Sequence, residues 1–140
     1  MQIKPKQDPL FATAKAAMGK AHAPYSKFRV GAAILADNGR IYGGCNVENA
    51  SYPEGVCAET SAISQMVLDG GKKIREIAVV GGEDDQVGRG LVTPCGGCRQ
   101  RIREFGTKDT MIHLCGPKGR RKSFTLSDLL PQSFTGRNLK

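Results

Sequence analysis

Two thiols three residues apart, in Pro94-Cys95-Gly96-Gly97-Cys98, can converge on one ion because they stand at the predicted start of a helix. Alone, such a pair also suits a redox couple or half of a four-cysteine structural site. Cys57 offers a third thiol, again at a predicted helix start. Two helix N-termini aimed at one site stabilise thiolates through their dipoles and unpaired amides. Structural zinc sites are normally closed by four protein ligands, whereas catalytic ones leave the fourth position to water. No fourth ligand has fitting spacing here. His22 lies beside Ala23-Pro24 in a loop and His113 between Ile112 and Leu114 in a strand, so both read as structural or exposed. Cys45 and Cys115 occupy apolar extended segments without a paired thiol and read as small core residues. The favoured set is therefore one Zn2+ per chain on Cys57, Cys95 and Cys98, with water as the fourth ligand.

Glu59 follows Cys57 by two positions, and a metal-bound water needs a nearby base to accept its proton. Residues two apart on a regular helix diverge. A Cys57 at the cap has non-helical backbone angles, however, so it and a first-turn Glu59 can still face one pocket. The plainer role for Glu59 is to complement the helix dipole. Its place beside a metal ligand favours proton transfer instead.

The elements that must position these groups follow from the pattern of the chain. Asp8 and Pro9 read as an N-cap and first-turn proline, followed by Leu10, Phe11, Ala14, Ala17 and Met18 at helical spacing, with Gly19 as the stop. Arg29 to Ala36 and Ile41 to Cys45 make a hairpin about a turn at Asp37-Asn38-Gly39. A helix is expected from Cys57 to Leu68, ended by Gly70 and Gly71, then a buried strand from Ile74 to Val80. After a loop rich in glycine and acids come a short helix from Cys95 to Phe105, ended by Gly106, and a strand from Met111 to Cys115. A basic turn from Gly116 to Lys122 precedes Phe124, and Thr125 caps a last helix through Leu129 before Pro131. Hairpin, then alternating helix and strand, implies a mixed sheet with helices on its faces.

With 140 residues, 39% of them hydrophobic, the chain suits a single domain over 1–140 with one ordinary core. Met1 to Leu10 contain no apolar run, and no stretch approaches the roughly 20 apolar residues of a spanning helix, so the expectation is a cytoplasmic protein without a membrane anchor. An odd count of cysteines without an export signal argues against a disulfide framework. The formal charge of +8 is concentrated after Gly70, yet no aromatic residues are interleaved for stacking bases, so a solvated basic surface is favoured over a nucleic-acid partner.

Gly44-Cys45-Asn46-Val47-Glu48-Asn49-Ala50-Ser51, Cys57-Ala58-Glu59 and Pro94-Cys95-Gly96-Gly97-Cys98-Arg99-Gln100 together closely resemble the short, homotetrameric, zinc-dependent cytidine deaminases. Pro24-Tyr25-Ser26-Lys27-Phe28 and Leu129-Leu130-Pro131-Gln132-Ser133-Phe134 extend the likeness over nearly the whole chain. The resemblance implies a three-layer α/β/α sandwich around a mixed sheet of about five strands. It also implies hydrolytic deamination of cytidine and 2′-deoxycytidine in pyrimidine salvage, by a zinc-bound hydroxide with Glu59 as proton shuttle. Asn46 and Glu48 would bind the ribose hydroxyls, Phe28 would pack near the pyrimidine, and the backbone at Ala58 would read the base edge. Ala50, Tyr52 and Phe134 would enter a neighbouring subunit's site in a homotetramer. An amide and a carboxylate two apart on an extended segment do face one side, and together they donate to and accept from a sugar diol. One position departs from the family: the residue after Cys57-Ala58-Glu59 is commonly arginine and here is Thr60, leaving the charge of three thiolates to Thr60, the helix dipoles, Arg99 or Gln100. Rival readings are a blasticidin-type nucleoside deaminase, a polynucleotide-editing deaminase and a non-catalytic zinc module binding nucleic acid.

Overall fold

In the computed structural model, residues 8–82 and 91–140 are described. Met1 to Gln7 and most of the loop ahead of Pro94 lie outside them.

Helix α1, Pro9–Met18, begins where Asp8 Oδ1 accepts the amide of Phe11 at 3.2 Å. This satisfies one of the first-turn donors that a helix leaves unpaired. The hairpin follows as β1, Val30–Ala36, and β2, Ile41–Cys45, with Gly39 at φ +80° in the turn. Helix α2 is Ala58–Leu68 and β3 is Ile74–Gly81, with Gly70 between them at φ +94°. Next come α3, Gly96–Phe105, and β4, Met111–Gly116. The basic segment is not a turn, as its charge suggested: Gly119–Thr125 forms β5, reversing direction after Pro117-Lys118. Its partner decides this, because Ile112 faces Phe124 and His113 faces Ser123 across an antiparallel ladder. As an edge strand, β5 keeps Arg121 and Lys122 in solvent, where they discourage pairing with further chains. Thr125 and Asp128 then form a capping box at α4, Leu126–Leu129.

The five strands run in the order β2-β1-β3-β4-β5. Only β3 and β4 are parallel, joined through α3. Alternation along each strand divides the core into two layers. Ala32, Ile34, Ile77, Val79, Ile112 and Leu114 pack with α2 and α3, whereas Ala33, Ala78, Val80 and Cys115 pack with α1. This is the expected α/β/α sandwich. Glycines let both helix layers approach: a Cβ on Gly31 would stand 1.9 Å from the carbonyl oxygen of Ala14 in α1, and one on Gly44 would stand 2.3 Å from the amide of Ala62 in α2. Cys115 is buried as expected, but Cys45 is only half-buried, because it ends the opposite edge strand.

His113 is buried on the α1 side and bonded at both ring nitrogens, to Ser123 Oγ and to Glu76 Oε1, each at 2.6 Å. Beside it Arg120 forks onto the buried Asp8, at 2.7 and 3.1 Å, tying the N-cap of α1 to β5.

Candidate active site

The α2–α3 layer brings the three sequence-selected cysteines together. Cys57 caps α2 with φ −75°, ψ 155°, and Cys95 caps α3 with φ −67°, ψ 168°. Both caps are extended, so their side chains turn back across the helix ends, and Cys98 joins them from the first turn of α3. The three sulfurs all lie within 4.8 Å of one another. Zinc–sulfur bonds of about 2.3 Å in tetrahedral array fit within that spread. Among the described residues no histidine, carboxylate or fourth thiol joins the set.

The electrostatics of the cluster also call for a cation. Burial pushes the Cys98 thiol far above its usual range, and the charges of Glu59, Cys57 and Cys95 add to this. Burial raises Cys57 too, whereas the exposed Cys95 is lowered, first by the backbone amide of Cys98. Glu59 is only 4% exposed, and desolvation raises its carboxyl. Two thiols and a carboxyl that resist ionising, beside a third thiol that ionises more readily, are what a divalent cation relieves, so the donor set fits zinc.

Beside the thiols opens a cavity of about 360 Å³, within the usual range for small-molecule sites. Cys57, Ala58, Glu59 and Cys95 line it together with Asn46, Glu48 and Tyr52. Phe28, Ala50 and Phe134 are not among its lining residues. Phe28 is exposed, Ala50 sits in an exposed bend, and Phe134, which reads as core on its own, is 56% exposed. Sequence reasoning passed over the apolar wall: Val30, Val47, Val56, Val92 and Thr93. Part of that signal was available, since Thr93 precedes Pro94 and a residue before proline is held extended, which keeps it out of α3.

Asn46 and Glu48 face the cavity with much of their bonding capacity already used. Asn46 accepts the Val30 amide and donates to the Phe28 carbonyl, both at 2.8 Å. Glu48 Oε1 accepts the amides of Tyr25 and Ser26 at 3.0 and 3.1 Å, and Oε2 accepts the Ser26 hydroxyl. These bonds, the Ser26 hydroxyl first, hold the Glu48 carboxyl below its usual value.

Comparison with known proteins places this geometry. Residues 4–114 match the family described as the cytidine and deoxycytidylate deaminase zinc-binding region. The chain belongs to that family of zinc-dependent hydrolases. A cytidine deaminase of Sporosarcina psychrophila is 42% identical over 130 residues, covering 93% of this chain and 92% of that protein. One from Mycobacterium tuberculosis strain H37Rv is 40% identical over 115 residues, 81% of this chain and 78% of its own length. The crystal structure of cytidine deaminase from Burkholderia pseudomallei superposes with a TM-score of 0.81 at 41% identity, covering 90% of this chain and 97% of that one.

Within this deaminase fold the departure at Thr60 has a local consequence. Thr60 Oγ1 stands 4.0 Å from Cys98 Sγ, a long contact from the most buried of the three thiols. Arg99 and Gln100 do not reach in to compensate. Arg99 donates to the carbonyls of Pro94 and Leu129 at 2.8 and 2.7 Å, and Gln100 donates to that of Phe134 at 2.9 Å. Both side chains fasten the C-terminal segment to α3 instead.

Proposed function

We propose that this chain hydrolyses cytidine and 2′-deoxycytidine to uridine and 2′-deoxyuridine with release of ammonia. Cys57, Cys95 and Cys98 hold one zinc ion, and Glu59 moves the protons. The observation that carries the reading is the buried Glu59 carboxyl beside three convergent thiols, in a cavity also lined by Asn46 and Glu48. Zinc, when bound, acts as a Lewis acid that acidifies water at the site.

Glu59 accepts the proton that water loses as oxygen adds to C4 of the cytosine ring, and passes it to N3. The adduct carries hydroxyl and amine on one tetrahedral carbon. A second proton, moved by Glu59 from that hydroxyl to the amine, allows the C4–N bond to break as the carbonyl forms, and ammonia leaves. Burial keeps bulk water from competing for these transfers. Asn46 and Glu48 orient the sugar, Phe28 packs near the pyrimidine, and the first-turn backbone at Ala58 reads the base edge. Ala50, Tyr52 and Phe134 complete the cavity of a neighbouring copy in a homotetramer, a role suited to aromatic side chains that are 76% and 56% exposed at Tyr52 and Phe134. Among the described residues no helix is long and apolar enough to cross a membrane. Pyrimidine salvage in the cytoplasm is the setting we assign to this chemistry.

The test is a panel on purified protein with zinc per chain measured: cytidine, deoxycytidine, cytosine, blasticidin S and single-stranded DNA, read by ultraviolet absorbance. The nucleosides should be deaminated, and Glu59→Ala should retain zinc and fold while losing about 10²-fold or more in turnover. Cytidine turnover by Glu59→Ala at the wild-type rate would remove the mechanism, and activity confined to blasticidin S or DNA would replace the substrate.

A further inference from the structure

The segment Pro24 to Val30 is joined to the sugar-facing pair by a closed run of hydrogen bonds, and one side chain outside the cavity completes it. The Ser26 hydroxyl donates its single proton to Glu48 Oε2 and accepts the Phe28 amide at 3.0 Å. The Phe28 carbonyl accepts from Asn46 Nδ2, whose Oδ1 in turn accepts the Val30 amide. Lys27, between Ser26 and Phe28, takes a left-handed backbone at φ 62°, which lets the chain fold back so that Ser26 Oγ meets both partners.

The two oxygens of Glu48 are held differently. Oε1 is pinned by two backbone amides, those of Tyr25 and Ser26, that no side-chain change removes. Oε2 has the Ser26 hydroxyl as its partner. A carboxylate offers about four acceptor positions, so three donors leave one, and an Asn46 amide that has given one proton to Phe28 retains one. A sugar hydroxyl can donate to the first and accept from the second. Without Ser26 Oγ, the carboxylate is free to pivot about the pinned Oε1, and its remaining acceptor position no longer has a fixed direction.

We propose that Ser26 is a positioning residue for sugar recognition, fixing through its hydroxyl the direction in which Glu48 meets a nucleoside hydroxyl. This rests on Asn46 and Glu48 as the sugar-binding pair. It makes a particular forecast: the cost of losing Ser26 should appear only on ligands that carry the hydroxyl.

The experiment compares zinc-loaded wild type, Ser26→Ala and Ser26→Thr on cytidine and on 2′,3′-dideoxycytidine. For Ser26→Ala the KM for cytidine should rise about tenfold with kcat within about twofold of wild type, as for the loss of a hydrogen bond to a charged group that acts in binding. Its kcat/KM on the dideoxy analogue should stay within about twofold of wild type, and Ser26→Thr should restore cytidine KM. Equal loss on both substrates, or no loss on cytidine, overturns the proposal. Calorimetric titration with uridine and 2′,3′-dideoxyuridine reads the same comparison without turnover. A wild type that favours uridine but does not deaminate cytidine rejects the catalytic reading and leaves the Ser26 comparison readable. A wild type that binds the two equally rejects the sugar reading and the role of Ser26 together.

Discussion

A single methyl group added at Gly44 should disturb the chemistry, while the same group at Gly31 should disturb stability alone. A Cβ at Gly44 would lie 2.3 Å from the amide nitrogen of Ala62 and 2.5 Å from the carbonyl oxygen of Ala58, where ordinary contact begins at 3.4 Å. Both atoms are backbone of α2, so relief requires the helix to move off β2 by about 1 Å, with an overpacking cost of about 3 kcal/mol. For a domain of this size that lowers Tm by about 10 °C. Cys57 and Glu59 sit at the moving end of α2, and a displacement near 1 Å at reacting groups costs about 10²-fold in rate. At Gly31 the Cβ would meet Ala14 O at 1.9 Å and Met18 N at 2.6 Å, both in α1, which carries none of the site. Thermal melting, zinc content and kcat at a temperature where each variant is folded separate the two. Gly44→Ala should lose stability and kcat, and Gly31→Ala stability only. Wild-type kcat in folded Gly44→Ala, or an equal loss of kcat in Gly31→Ala, would refute the idea that contact with β2 sets the position of the α2 end.

Two further outcomes follow from single contacts. Thr60→Val keeps the shape of the side chain and removes its hydroxyl, so zinc should be lost to a competing chelator about fivefold more readily, the effect of one weak bond to a thiolate; unchanged retention would mean that Thr60 does not support Cys98. Arg120→Ala leaves the buried Asp8 without its fork and should cost roughly 2–3 kcal/mol at neutral pH, the partial exposure of Arg120 moderating the loss. Burial pushes the Asp8 carboxyl up, but the hydrogen bonds from Arg120 and Phe11 and the charges of Arg120 and His113 outweigh it and hold the group below 3.8. A lowered folded value means that this stabilisation is present above the unfolded value and is lost as pH falls through the folded one. The Tm gap between wild type and Arg120→Ala should therefore be full near neutral pH and close under acid conditions, Arg120 also standing 3.9 Å from Glu76 and 3.3 Å from His113. A gap that widens with acid would contradict this.

Much of this protein is local, and what is local could be read from the chain. Asp8-Pro9, Asp37-Asn38-Gly39 and Gly70 set element ends because caps and turns depend on neighbouring residues. The pair Cys95 and Cys98 showed two thiols able to converge for the same reason, and the cap position of Cys57 allowed Glu59 to share its pocket. Other features depend on partners distant in sequence. Gly119–Thr125 reads as a basic turn until β4 supplies a ladder, and Phe134 reads as core until the chain leaves it exposed. Arg99 and Gln100 have the right types to balance thiolate charge, but tertiary packing commits them to the C-terminal segment. Residue types and short spacings thus picked out the thiols and the carboxyl that the fold brings together. Only the folded chain decided which of their neighbours are free to help, because a hydrogen-bonding group is spent by whichever partner the packing brings first.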